Sequence, residues 1–261
     1  MVRPIRNAIM KTRTLITAVV VLGLSTPIFG QGVLYQHLGA NNPTGEGFTL
    51  LTSGAGGTAS PIPNDAGVAA WATQVGAGGT LWYSGQLNSL SPVQSDWVLS
   101  VNMRVLQSGH SFENSFVQVR TSDYIYSLWF AAQADGDPIV RAGAFASGPV
   151  FVMEGVGAGY HDYQLRYSSI AGNAQLWVDG VMRLSGITST GQSGTSVLQW
   201  GEGQAGPSSS RWGSVSIQVV PEPSSFGLML VGLSAVGLTS GFRQRRDCVS
   251  VPYREPSTRR A

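Results

Sequence analysis

Between Gln31 and Val220 the sequence contains no cysteine and no lysine. The missing thiols exclude a disulfide framework, so a domain made from this stretch is held by packing alone. The missing lysines leave six arginines against eleven carboxylates. That acidic balance offers no basic stripe to neutralise a phosphate backbone, which excludes nucleic acid as a partner. Also absent are heptads, a collagen period, tandem repeats and any long helical periodicity. The whole-chain net charge of +2 arises from basic residues concentrated near the two ends. The single cysteine, Cys248, sits in the last stretch of the chain and reads as an inert thiol in a solvated tail.

What the ends do contain is informative. Arg3, Arg6, Lys11 and Arg13 precede the apolar segment Leu15 to Leu24, and small residues lead to a cleavage site ending at Gly30. A charged start before a short apolar core is the pattern of a secretory signal peptide over residues 1–30. Met10 is a second candidate initiator, because Met10-Lys11-Thr12-Arg13 is itself a charged start. Near the other end, Pro221-Glu222-Pro223 leads into an uncharged run from Phe226 to Phe242, followed by Arg243, Arg245 and Arg246. A helix of that length spans about 25 Å, marginal for a hydrocarbon core of about 30 Å. The arginines resist translocation and hold their end on the cytoplasmic side. Gly227, Gly232, Gly237 and Gly241 permit close approach of a partner helix.

These three parts together resemble the bacterial PEP-CTERM sorting signal over about Val220 to Arg246. The resemblance implies export, recognition by an exosortase-like sorting machinery, membrane insertion during sorting and an association with extracellular polysaccharide. Pro221, Glu222, Pro223, Arg243, Arg245 and Arg246 are the sorting residues it implies. The chain continues past the family's usual end as a basic tail, Asp247 to Ala261, expected to be disordered.

Between the ends, residues 31–70 are expected to be irregular. Gly54-Ala55-Gly56-Gly57 and Pro61-Ile62-Pro63 argue against regular elements there. Strand signals follow. From Trp97 to Leu106, residues Trp97, Leu99, Val101, Met103 and Val105 alternate with Val98, Ser100, Asn102 and Arg104. Phe116–Arg120 and Tyr124–Phe130 read as hairpin arms around Ser122-Asp123. Asp135-Gly136-Asp137-Pro138 breaks the pattern before Ile139–Phe145 and Val150–Met153. Tyr160–Tyr167, Ala174–Val178 and Val181–Leu184 alternate with turns near Gly172-Asn173 and at Asp179-Gly180. Ser196–Trp200 and Trp212–Val219 close the series. Ten to twelve short strands and almost no helix predict an all-β, two-sheet antiparallel sandwich over residues 71–220.

His161, Tyr163, Leu165, Tyr167, Leu176, Trp177, Val178, Asp179 and Gly180 are similar to a strand, turn and strand of the laminin-G or concanavalin-like superfamily. Trp97–Val105 suits that family's early core strand and Trp212–Val219 its last. The resemblance implies a jelly roll, and a superfamily that holds glycan binders as well as glycosidases.

The residues give catalysis little support. Glycoside hydrolysis needs two carboxyl groups across one bond, but no Glu-x-Asp-x-x-Glu occurs, and Asp135-Gly136-Asp137 reads as a turn. Glu113 and Glu154 remain scattered candidates. No Gly-x-Ser-x-Gly elbow is present, and His161 beside Asp162 is a local polar pair. His37, His110 and His161 lack zinc spacing, and there is no EF-hand loop. Calcium is the one cofactor considered, with Asp135 and Asp137 as candidate ligands, joined by Asp123 or Asp179. For a glycan, an aromatic ring stacks on the C–H face of a sugar while amides supply direction. Trp82, Tyr126, Trp129 and Trp177 are the leading candidates, with Tyr124 and Trp200 beside them. The sequence reading is an exported cell-envelope or matrix protein with a noncatalytic carbohydrate-binding sandwich. A purely structural surface protein and a glycoside hydrolase are the alternatives.

Overall fold

Alternation from Trp97 to Leu106 lies within Asp96–Ser108, a single long strand of thirteen residues whose even and odd positions face different media over that stretch. Trp97, Leu99, Val101, Met103 and Val105 are buried, while the intervening residues reach solvent in part, as their spacing predicts. Among the described residues this strand is β6 of fifteen, all paired antiparallel. The structure, a computed structural model, describes residues 32–87, 95–108, 114–144, 147–189, 191, 194–203 and 206–220. The expected signal segment, the sorting segment, the tail with Cys248, His110 and Glu113 lie outside the described residues. Among the described residues no helix is long and apolar enough to cross a membrane.

In chain order the remaining strands are β1 (Gly32–Leu38), β2 (Thr49–Ser53), β3 (Gly57–Asp65), β4 (Val68–Val75), β5 (Thr80–Gln86), β7 (Ser115–Arg120), β8 (Ile125–Ala132) and β9 (Pro138–Gly143). Then come β10 (Val150–Val152), β11 (His161–Ser168), β12 (Asn173–Val178), β13 (Val181–Ile187), β14 (Val197–Glu202) and β15 (Ser208–Val220). Two sheets form. The eight-stranded sheet runs β13-β12-β11-β6-β15-β4-β3, with β1 also paired to β15. The seven-stranded sheet runs β10-β9-β8-β7-β14-β5-β2.

The all-β sandwich predicted from alternation is therefore the fold, but its beginning is corrected. Residues 31–70, expected to be irregular, supply β1, β2, β3 and the start of β4. Pro61 and Pro63 stand in β3, which lies at the edge of its sheet, where a missing N–H breaks no inter-strand ladder on the open side. Ala66 and Gly67, at φ of 53° and 87°, make the tight reversal from β3 to β4. Asp179 and Gly180 do the same between β12 and β13, with φ of 50° and 76°, as their dipeptide predicts.

The core lies between the sheets and is aromatic. Trp97, Trp200, Trp212, Tyr83, Tyr126, Tyr163 and Phe130 are among its largest fully buried side chains. Trp200 touches Tyr83 and Trp212 at centroid distances of 4.7 and 5.2 Å. His37 stacks on Trp200 at 4.8 Å, and its Nδ1 pairs with Glu46 at 2.7 Å. Burial holds the imidazole below its ordinary pKa despite that carboxylate.

A candidate glycan-binding face

The outer face of the seven-stranded sheet is assembled from segments far apart in sequence. Register places Trp82 of β5 beside Gly201 of β14, Gly201 beside Phe116 of β7, Phe116 beside Trp129 of β8, and Trp129 beside Arg141 of β9. Four strand crossings thus carry one row of large, flat side chains. Phe116 and Trp129 lie with centroids 5.0 Å apart and Trp82 meets Phe116 at 6.4 Å. Gly201 is what lets the two halves meet. Its φ is 142°, and a Cβ there would drive into the Leu81 carbonyl and Trp82.

A second row lies two residues along, about 7 Å away. It consists of Ser84, Gln199, Gln118 and Ser127. The Gln118 amide donates to the Gln199 carbonyl, and the Gln199 amide donates to Ser84 at 3.4 Å. Arg120 follows in β7, between Val197 and Ile125. On this face Trp82, Trp129, Gln199, Arg120 and Arg141 are half-buried, while Phe116, Gln118, Ile125 and Ser127 are buried.

Two of the aromatic candidates, Trp82 and Trp129, therefore fall in one row. Phe116 and Gly201 complete that row and escape sequence reasoning, because only the pairing of β5, β14, β7 and β8 brings them together. Three other aromatics are corrected. Tyr126 is 1% exposed, packed on Trp97, Tyr124 and Tyr167, and Trp200 is fully buried. Tyr124 is in the same core cluster. Inward parity decides all three. Trp177 lies on β12 of the eight-stranded sheet, away from Trp82 and Trp129. The Arg166 guanidinium covers its ring at 4.1 Å, and its Nε1 donates to Gln175. An open groove of about 580 Å³ lies on that sheet among Ser100, Gln164, Arg166, Asn173, Gln175 and Gln218.

The acidic candidates hold loops. Asp137 accepts the backbone N–H groups of Gly155, Val156 and Gly157 at 2.6, 3.0 and 2.6 Å, which holds its carboxyl below the ordinary value. Asp135 accepts the Asp137 N–H at 3.1 Å. Asp179 accepts from His161 and from the Asp162 N–H, both at 2.9 Å. Among the described residues no group of three His, Cys, Asp or Glu stands where it could hold a metal ion. Glu154 sits in an exposed turn.

One carboxylate unremarked in the sequence is fully buried. Glu202 ends β14 facing inward and accepts from four hydroxyls: Thr73 at 2.6 Å, Ser115 at 2.8 Å, Ser208 at 2.7 Å and Ser210. Trp212 Nε1 donates to Thr73 at 2.8 Å, extending the network. Burial pushes the Glu202 pKa up, against the pull of the four hydroxyls. The inward parity of Leu198, Trp200 and Glu202 was the signal that could have found it.

Residues 219–246 match the PEP-CTERM protein-sorting motif. None of the curated proteins matches the chain. Among solved structures the chain is similar to a carbohydrate esterase from the Shiga toxin-encoding bacteriophage phi24B. The identity is 12% and the TM-score 0.53, over 74% of this chain and 100% of that one. It is also similar to the Crh5 transglycosylase in its apo form, at 12% identity and a TM-score of 0.50, over 74% and 88% of the two chains. The binding domain of botulinum neurotoxin DC, solved with rat synaptotagmin II, aligns at 8% identity and a TM-score of 0.46 over 77% of this chain. The match spans 52% of that domain. Such likenesses concern the fold alone. The motif marks an exported protein with a C-terminal sorting region. The chain thus joins a two-sheet, jelly-roll-like β-sandwich to a PEP-CTERM sorting motif.

Proposed function

We propose that this is an exported cell-envelope or matrix protein whose sandwich is a noncatalytic carbohydrate-binding module. In this reading residues 1–30 are a signal peptide and residues 221–246 are a sorting and anchoring segment for an exosortase-like machinery. Pro221, Glu222, Pro223, Arg243, Arg245 and Arg246 carry that sorting, and extracellular polysaccharide is the partner of the folded part. The observation that carries the binding assignment is the pair of half-buried rings Trp82 and Trp129, joined through buried Phe116, beside the glutamine ladder. Flat rings set next to ordered amides supply both the stacking surface and the directional bonds that a sugar chain requires.

The test is affinity electrophoresis of the full chain in detergent, through gels containing envelope polysaccharides, with calcium and with chelator. Retention is expected, and Trp129→Ala should weaken it about ten-fold, the equivalent of one stacking contact of about 1.4 kcal/mol. Calcium dependence would assign Asp135 and Asp137 to an ion. Absence of retention on every polymer would leave a structural surface protein. Cell fractionation, with mass spectrometry of the mature C-terminus, tests the sorting.

A further inference from the structure

We infer that the edge of the seven-stranded sheet at β2 is a self-association surface, and that its occupant is β2 of a second copy of this chain. Edge strands invite pairing with other chains, and folded proteins guard them with prolines, charges, bulges or brevity. Five strands have one open side among the described residues: β1, β2, β3, β10 and β13. Four of them carry a guard. β1 has a bulge between Val33 and Tyr35, and Glu46 accepts its Leu38 N–H at 3.1 Å. β3 holds Pro61, Pro63 and Asp65. β10 is three residues long, and β13 contains Arg183 and pairs irregularly with β12. β2 has no charge, no proline and no bulge in its pairing with β5, and all five of its residues are exposed.

The strand is also complementary to itself. Closed dimers use a two-fold axis, and an axis normal to the sheet sets two copies of β2 antiparallel with like faces on the same side. Residues of equal parity then stand opposite one another, because side chains alternate along a strand. Centring the axis on Leu51 places Leu51 against Leu51 and Leu50 against Thr52, with no opposed charge. Leu50 and Thr52 pair with Tyr83 and Leu81 on the inward side, and with Ala59 and Trp71 these side chains line a hollow of about 310 Å³ at the mouth of the sandwich. The Trp71 indole N–H already donates to the Tyr83 hydroxyl at 2.9 Å, so it asks nothing polar of an occupant. Leu50 of the partner subunit, set opposite Thr52, arrives over that hollow. Leu51 faces outward beside Trp82, so the joined sheets carry their two outer faces side by side.

A five-residue edge buries well under the roughly 1,200 Å² of a standard interface, so the association is weak, with a Kd on the order of 10–100 μM. The experiment uses the full chain in detergent. Sedimentation from about 1 to about 500 μM protein should show a monomer–dimer equilibrium. Leu51→Lys and Leu51→Glu, each tested alone, should raise the Kd about ten-fold, since each sets like charges face to face, and mixing the two variants should restore dimers while circular dichroism stays unchanged. In a Cys248→Ser background, Leu51→Cys should oxidise under copper phenanthroline to an intermolecular disulfide, because directly opposed strand residues lie within disulfide reach. Thr58→Cys, exposed on the guarded edge of β3, should not. A protein that stays monomeric throughout would overturn the self-pairing and leave the edge to a foreign strand. A dimer indifferent to both charges, or equal cross-linking at positions 51 and 58, would overturn it too, and association through another part of the chain would give these two results together. None of these readouts involves polysaccharide, so they stand apart from the glycan assignment.

Discussion

Replacing Glu202 by glutamine should remove the pH dependence that this one residue imposes on the domain. Taking a carboxylate out of water costs several kcal/mol. Each hydroxyl bond to a charged acceptor returns about 1.5–3 kcal/mol, and Glu202 has four. The two effects oppose one another, and burial is the larger, leaving the folded pKa above the ordinary 4.5. Between that value and the folded pKa the native state binds more protons than the unfolded chain. Stability therefore falls as pH rises through the window, by up to about 1.4 kcal/mol per pH unit. Glutamine does not titrate, and its amide can donate to Ser115 and Ser208, whose hydroxyls also accept. Guanidinium unfolding of the full chain, followed by tryptophan fluorescence, should show the Glu202→Gln protein gaining on the wild type from pH 4.5 upward. The depressed pKa of His37 also makes stability pH-dependent, but that contribution is common to both proteins and cancels in the difference. Asp137 acts in the opposite sense, losing its contribution as pH falls below 3.8, outside the window. A constant difference between the two proteins from pH 4.5 to 8, or a wild type that gains on the variant, would refute the reasoning. Glu202→Ala, which removes the acceptor of four hydroxyls, should cost about 3–5 kcal/mol near pH 4.5, a cost that shrinks as the pH rises and the wild type weakens.

Other consequences are equally open to measurement. Gly201→Val should cost roughly 3 kcal/mol, from backbone strain and collision with Leu81 and Trp82, and lower the Tm by roughly 6–12 °C; an unchanged Tm in calorimetry would contradict the close approach. Trp212→Ala should cost about 3–5 kcal/mol, because it removes a buried ring and the indole N–H bond that the Thr73 hydroxyl accepts. Asp137→Asn should speed amide exchange at Gly155, Val156 and Gly157 while the core strands keep their protection. Undiminished protection of those three amides would separate the loop from Asp137.

Much of the sandwich is legible because half-buried strands write their burial into alternate residues. Asp96–Ser108 and His161–Ser168 follow that rule throughout their buried positions, and Asp179-Gly180 forms the turn its residues favour. The first strands were illegible for a physical reason. β2 is exposed along its length and β3 is an edge strand, so neither carries a regular buried face, and the prolines of β3 imitate a loop. The candidate face was half legible. Odd and even positions in β8 separate Trp129 from Tyr126, but nothing local says which parity faces the core. Only register across β5, β14, β7 and β8 aligns positions 82, 201, 116 and 129, and register is a property of the assembled sheet.

The longest strand pairings of the domain belong to its last strand. β15 lies inside the eight-stranded sheet, flanked by β6 on one side and by β1 and β4 on the other, and Gly32 of the first strand faces Val219. A chain read from its N-terminus therefore cannot close this sheet until residue 220 has been delivered. Up to that moment β6 and β4 have no partner between them, and the first strand waits for a mate almost two hundred residues away. Hairpins such as β11-β12 and β7-β8 can pair as they emerge, but the eight-stranded sheet becomes continuous only when its final strand arrives to join them.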